Sequence, residues 1–172
     1  MTTPEPDLFR AAMSQFASGV TVVTTLQGGV DHAMTANAFT SVSLDPPLVL
    51  VCVDKSTRFH QAVALSRFWG ASVLSGAHLD AARWLATRGR LLTGQLDRVP
   101  HRRGERTGAA LLDQALCQLE CRTWEMYDGG DHTIVVGEVI ELEITDPDAP
   151  AMVYFRSAFG TLRGDSDACH TG

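Results

Sequence analysis

Residues 33–53 read AMTANAFTSVSLDPPLVLVCV, and this stretch decides how the chain is understood. Thr35, Ala36, Asn37, Thr40, Ser41 and Ser43 put small and hydroxylated side chains directly before Pro46-Pro47. Leu48 to Val53 then forms an unbroken apolar run of the kind a buried strand needs. Small side chains let a ligand approach the backbone, and the hydroxyls and one amide offer hydrogen bonds at fixed points. The combination suits a flat, polar-edged ligand better than a packed core. Asn37 is the only asparagine in the chain and Lys55 the only lysine, and both fall in or beside this segment.

Working outward, Asp7 is placed to cap a first helix in which Leu8, Phe9, Ala12, Met13 and Phe16 recur at helical spacing, with Gly19 ending it. Val20 to Thr25 reads as a β-branched strand, followed by a turn at Gln27-Gly28-Gly29 and a strand over roughly Met34 to Ser43. After the buried strand, Ser56 caps a short helix with Phe59, Ala62 and Val63 inward. Phe68 to Leu74 is a strand, and Ser75 caps a further helix ending at Gly89. Residues 90–110 are a polar loop with room for one short strand. Two long alternating strands, Leu116 to Met126 and Thr133 to Ile144, are joined at Asp128-Gly129-Gly130, and Ala151 to Phe155 is the last strand. Seven or so strands with three short helices, not alternating one for one, argue against a doubly wound sheet. The pattern predicts a mainly β chain, an antiparallel barrel with peripheral helices. One domain is expected over 7–163, after a disordered lead (1–6) and before a loose tail (164–172).

At 172 residues, 45% of them apolar and 20% charged, the chain reads as one soluble domain. Its longest apolar run is far below the roughly 20 residues of a membrane span. No secretory signal opens it, and a cytoplasmic location is expected. A net charge of −6 argues against nucleic acid as a partner. The basic cluster at His101-Arg102-Arg103, with Arg98 and Arg106, reads as a solvated loop. Of the four cysteines, Cys117 and Cys121 fall on one strand, about 13 Å apart at about 3.3 Å per residue. That is too far for one metal or a disulfide. Cys52, Cys117, Cys121 and Cys169 are therefore read as reduced thiols, and no metal site is expected.

Dinucleotide, phosphate-loop, nucleophile-elbow and zinc-protease motifs are all absent, so a nucleotide would have to be held without a Rossmann unit. Two other segments carry chemistry. Asp54-Lys55-Ser56-Thr57-Arg58 leaves a buried strand and enters a helix, so free N–H groups, hydroxyls and basic side chains converge where a phosphate could sit. The alternative is an ordinary capped helix start. Asp128-Gly129-Gly130-Asp131-His132-Thr133 presents His132 at a strand mouth, with Asp131 beside it to orient the ring. His32, His60, His78, His101 and His170 have no comparable setting.

Taken jointly, these segments resemble the flavin reductase family, the FMN-binding split barrels that serve two-component monooxygenases. The resemblance runs from Leu8 to Leu162. It rests on Phe16 to Thr25, Met34 to Val53, Leu119-Glu120-Cys121, Gly130 to Ile134 with Gly137-Glu138-Val139, and Met152 to Arg156. It implies a homodimer of six-stranded antiparallel split barrels with flavin, FMN or FAD, near the interface. Thr35, Ala36 and Asn37 would line the isoalloxazine ring. Ser41, Val42 and Ser43 would meet the ring edge and ribityl chain, and Lys55, Ser56 and Thr57 the phosphate. His132 would stand where the nicotinamide of NADH or NADPH docks. The implied activity is NAD(P)H-dependent flavin reduction, with reduced flavin diffusing to a partner monooxygenase. A flavoprotein acting directly on an organic substrate, or a non-catalytic flavin- or haem-binding module, are the rival readings. The chain departs from the family pattern at Ala33, Ser72, Ser157 and Phe159, and residues 84–108 match it poorly.

Overall fold

β-branched residues and a two-residue connection shape the architecture. The computed structural model describes residues 3–164. Helix α1 (Pro6–Met13) leads into β1 (Ser18–Gly19), β2 (Thr21–Gln27), β3 (Val30–Ala36), β4 (Phe39–Leu44) and β5 (Pro47–Asp54). Helix α2 (Arg58–Ser66), β6 (Phe68–Val73), a 3-10 turn (Gly76–His78) and α3 (Leu79–Ala86) follow. The chain continues through β7 (His101–Arg103), β8 (Ala110–Leu112), the long pair β9 (Cys117–Gly129) and β10 (His132–Ile144), then β11 (Ala151–Phe155) and β12 (Ala158–Leu162).

The main sheet has the order β3-β2-β6-β9-β10-β5-β4, with every neighbouring pair antiparallel. Its two edge strands, β3 and β4, are consecutive in the chain and separated only by Asn37 and Ala38. Laid flat, seven strands would put those edges about 29 Å apart at about 4.8 Å per gap. Three Cα steps span at most about 11 Å. The sheet must therefore roll until its edges meet, which makes it a barrel. The Cys52 N–H donates to Ala38 O at 3.0 Å and ties the link to β5.

One face of the sheet contributes Val23, Val51, Val53, Trp69, Ala71, Cys121 and Val135 to a single apolar cluster, which Phe59 and Val63 of α2 join. On the other side Val22 and Ala33 meet Ala82 and Leu85 of α3, Leu96, Leu112 and Met152. β2 is thus covered on both faces, which explains its continuous β-branched run. Cys52, Cys117 and Cys121 are free thiols, and burial raises the thiol pKa of each. Cys169 lies outside the described residues, as does the tail beyond Gly164. Among the described residues no helix is long and apolar enough to cross a membrane.

Several local expectations change. The strand foreseen over Met34–Ser43 is two strands broken at Asn37-Ala38, and counting them separately gives the sheet seven strands where the resemblance implies six. α1 starts at Pro6, so Asp7 lies in the first turn instead of capping, and it stops at Met13, well before Gly19. Thr57, not Ser56, caps α2, its hydroxyl accepting from the His60 N–H at 3.2 Å. Ser75 precedes the 3-10 turn without capping it, and α3 ends at Ala86 instead of Gly89. A twelfth strand, Ala158–Leu162, follows the one expected to be last.

Gly137 is where the fold is least forgiving. A Cβ there would stand 2.4 Å from Cζ2 of the fully buried Trp69 and 3.0 Å from the Cβ of Cys121. Overpacking of this kind costs about 1–3 kcal/mol. Gly137→Ala is therefore expected to lower the unfolding free energy by that amount, seen as a lower urea midpoint with no change in the denaturant slope, and an unaltered midpoint would mean the indole has room to shift.

Candidate functional site

β5 and β10 run side by side in a register that places His132 opposite Asp54, so the two chemistry-bearing segments of the sequence come together at one end of the sheet. There β5 turns through Lys55-Ser56-Thr57 into α2, and the β9–β10 turn presents Asp131 and His132. A cavity of about 580 Å³ opens against them, a size typical of small-molecule sites. Its opposite walls are His32 to Thr35 of β3 and, between Leu85 and Gln95, the end of α3 with the loop that follows it.

Of the residues singled out from sequence, Thr35, Ser56, Thr57 and His132 line this cavity. Thr35 donates its hydroxyl to Ala82 O at 2.7 Å, which fixes α3 against β3. Ala36 is buried beside it at the end of β3, and its carbonyl accepts from the Thr21 hydroxyl at 3.0 Å. Asn37 is exposed on the barrel-closing link, its amide 3.4 Å from Ser18 Oγ. Ser41, Val42 and Ser43 lie away from the cavity on edge strand β4, where Ser41 pairs with Val49 and Ser43 with Leu48, leaving Val42 as a bulge. Lys55 also lies outside the cavity wall. Its ammonium donates to the Asp128 carboxylate and to Gly130 O at 2.5 Å. Its N–H donates to Asp131 O at 3.1 Å, so Lys55 braces the turn that carries His132.

The His132 ring is held by its neighbour: Nδ1 lies 2.7 Å from Asp131 Oδ1, and Nε2 has no protein partner among the described residues. The same contact keeps the exposed Asp131 carboxyl below its ordinary pKa. The hydrogen bond from Lys55 does so for Asp128. Asp54 is also lowered, chiefly by the Ser56 hydroxyl and N–H, which donate to Oδ1 at 2.6 and 2.8 Å.

Asp54, Arg58 and Asp131, which the same two sequence segments carry, also line the cavity, whereas Arg10, His32 and the wall after α3 were not apparent from sequence. Four arginines (Arg10, Arg58, Arg88 and Arg90) line the space with His32 and His132, against the carboxylates Asp54 and Asp131. A chain of net charge −6 has concentrated cations here. His32, set aside on sequence grounds, is a wall residue whose Nδ1 is buried without a hydrogen-bond partner. Burial, and then the Arg58 charge, push its pKa down, which favours the neutral ring. Arg90 ties the loop in place: its guanidinium donates to Ala33 O, to Gln95 Oε1 at 3.1 Å and to Thr87 O at 2.8 Å. Its own carbonyl accepts from Arg58 at 2.6 Å. Gln95 extends the clasp to Asp31 O at 2.5 Å. No local pattern places residues 88–95 over β3, so no sequence signal could have found them.

An arginine-rich cavity at a strand-to-helix junction, with hydroxyls on one wall and an oriented imidazole on another, is built for an anionic ligand with polar edges. Comparison with known proteins agrees. Residues 13–163 match the family described as flavin reductase like domain. An NADH-dependent FAD reductase of Streptomyces globisporus is 46% identical over 132 residues, 76% of this chain and 72% of that protein. The reductase component of 4-hydroxyphenylacetate 3-monooxygenase from Thermus thermophilus is 33% identical over 91% of this chain and 96% of its own length. Among solved structures, BorF, the flavin reductase component of a bacterial two-component tryptophan halogenase, superposes with a TM-score of 0.88 at 43% identity, covering 94% of this chain and 100% of that one. The Streptomyces globisporus NADH:FAD oxidoreductase in complex with NAD and FAD fragments gives 0.87 at 39% identity, over 98% of each chain. This chain belongs to the flavin reductase like domain family.

The Arg90 clasp predicts local, not global, instability when it is cut. Arg90→Ala should raise amide hydrogen exchange across residues 87–95 about tenfold, the equivalent of one or two lost hydrogen bonds, while β9 and β10 keep their protection. Uniform loss of protection across the barrel would show that the loop is part of the global folding unit.

Proposed function

We propose that this chain is an NAD(P)H:flavin oxidoreductase that reduces FMN or FAD and supplies the reduced flavin to a partner monooxygenase. The observation that carries the proposal is the convergence of Ser56, Thr57, Arg58, Arg88 and the Asp131-oriented His132 on one cavity, in a chain of this family. Relatives named as NADH-dependent reductases of FAD and FMN support NADH as the electron donor.

The orphaned Nδ1 of His32 and the cationic walls fit such a ligand. Bound flavin supplies the redox chemistry by accepting a hydride at N5 from the nicotinamide C4. The protein positions and compensates charge. Ser56 and Thr57 at the start of α2, with Arg58 and Arg88, hold the phosphate. Lys55 acts one step back, by anchoring the Asp128–Gly130 turn. Thr35, Ala36 and Asn37 at the barrel seam offer small side chains against which a flat ring can lie. Ser41, Val42 and Ser43 stand on an edge strand paired on one side only among the described residues. Their outward backbone groups can meet negative charge developing at the flavin N1–O2 edge. His132 orients the nicotinamide through Nε2.

A homodimer is part of the same reading. No residue of α1 is buried, and Leu8, Phe9 and Phe16 are 66%, 60% and 70% exposed. A second copy of the barrel would cover that face. We read 7–163 as the functional domain, working in the cytoplasm and passing reduced flavin on by diffusion.

Steady-state oxidation of NADH and NADPH with FMN, FAD and riboflavin in turn tests the activity. Absence of both flavin binding and nicotinamide oxidation would end the proposal. His132→Ala is expected to raise the KM for NADH about 10- to 100-fold, the loss of one ligand hydrogen bond, with the flavin Kd unchanged. Loss of flavin binding in that variant would contradict the role given to His132.

A further inference from the structure

The anion seat at the start of α2 already holds an anion. Asp54 closes β5, and its carboxylate folds back over the turn. Oδ1 accepts from the Ser56 N–H at 2.8 Å and from the Ser56 hydroxyl at 2.6 Å. Oδ2 accepts from Arg88 at 3.0 Å. These donors are the ones a phosphate in this corner of the cavity would use, and Asp54 lines the cavity with them. The side chain is 24% exposed, so the carboxylate faces the open space while remaining bonded to the turn.

We propose that Asp54 is a built-in competitor for the flavin phosphate: it occupies Ser56 and Arg88 and sets a like charge against the incoming group, weakening the hold on phosphate-bearing flavins. The inference rests on the phosphate placement proposed above. The carboxyl pKa lies below its ordinary value, so the group stays ionised through the neutral range. Entry of a phosphate draws Arg88 and the Ser56 donors away from Asp54 or leaves them shared between two anions. In either case the phosphate gains less than these donors could give a neutral site. The consequence suits an enzyme whose product must leave: the anionic tail, the part of the ligand best able to anchor it, is held loosely. Asp54 acts here as an affinity-setting residue and takes no part in hydride transfer.

Asp54→Asn removes the charge and keeps an oxygen acceptor for Ser56. Equilibrium titration of the whole chain with FMN and with riboflavin separates a phosphate effect from a ring effect. The expected result is an FMN Kd about tenfold lower in the variant, as removal of one like charge at short range predicts, with the riboflavin Kd unchanged. Asp54→Ser, which keeps a hydroxyl acceptor in the turn, should move the ratio of the two constants in the same direction, and it decides the matter if the asparagine variant does not fold. An unchanged ratio, or FMN weakened relative to riboflavin, overturns the inference, the latter by showing that Asp54 organises the donors and does not compete for them. Parallel weakening of both ligands overturns it as well, in favour of a purely structural role. A parent protein that binds neither flavin would instead sink the reading on which this rests.

Discussion

The two-residue link between β3 and β4 is the constraint on which the rest of the molecule depends. These strands are the outermost in a seven-stranded antiparallel sheet, yet only Asn37 and Ala38 separate them. A short chain cannot bridge a flat sheet, so the sheet rolls and β4 comes round to lie near β3. Closure gives the apolar side chains of six strands a common interior and leaves that interior to be filled by Trp69, for which Gly137 makes room. It also places Thr35, Ala36 and Asn37 at the seam, where the chain passes from one edge strand to the other.

Beside the seam, antiparallel pairing does the remaining work. Because β5 and β10 are neighbours, the strand-to-helix turn after Asp54 and the turn bearing His132 arrive at the same end of the sheet. Lys55 fastens one to the other through Asp128 and Gly130. The loop after α3 then closes the far wall, held by Arg90 and Gln95 on the backbone of β3. The electrostatics follow from this assembly. Four arginines from three segments surround one cavity, and two carboxylates temper them.

Expectation and structure part company where neighbours in space are distant in sequence. The strand drawn through Met34–Ser43 breaks at the seam because barrel closure, not local β propensity, decides where the chain bends. Ser56 carries the right side chain to cap α2, but Asp54 claims it, and Thr57 takes the cap. Lys55, beside a helix start that suits a phosphate, also pairs with a carboxylate 73 positions away, a contact no short window of residues shows. His32 looked ordinary because its surroundings, Arg58 and the 85–95 loop, come from other parts of the chain.

Read alone, the amino-acid order determined the strand-rich architecture, the two long alternating strands, and the separate segments around Thr35, Ser56-Thr57 and His132 that carry the family resemblance. Each of these is written in local periodicity, in turn residues or in a contiguous run of small and hydroxylated side chains. The tertiary structure alone decided that Arg10, Arg88 and Arg90 face the cavity, that Lys55 pairs with Asp128, and that Asp54 accepts from Arg88. Those outcomes depend on which strands pair and on where a loop lands. Both are set by the free energy of closing the barrel over its apolar interior, a property of the whole chain that no short window of residues contains.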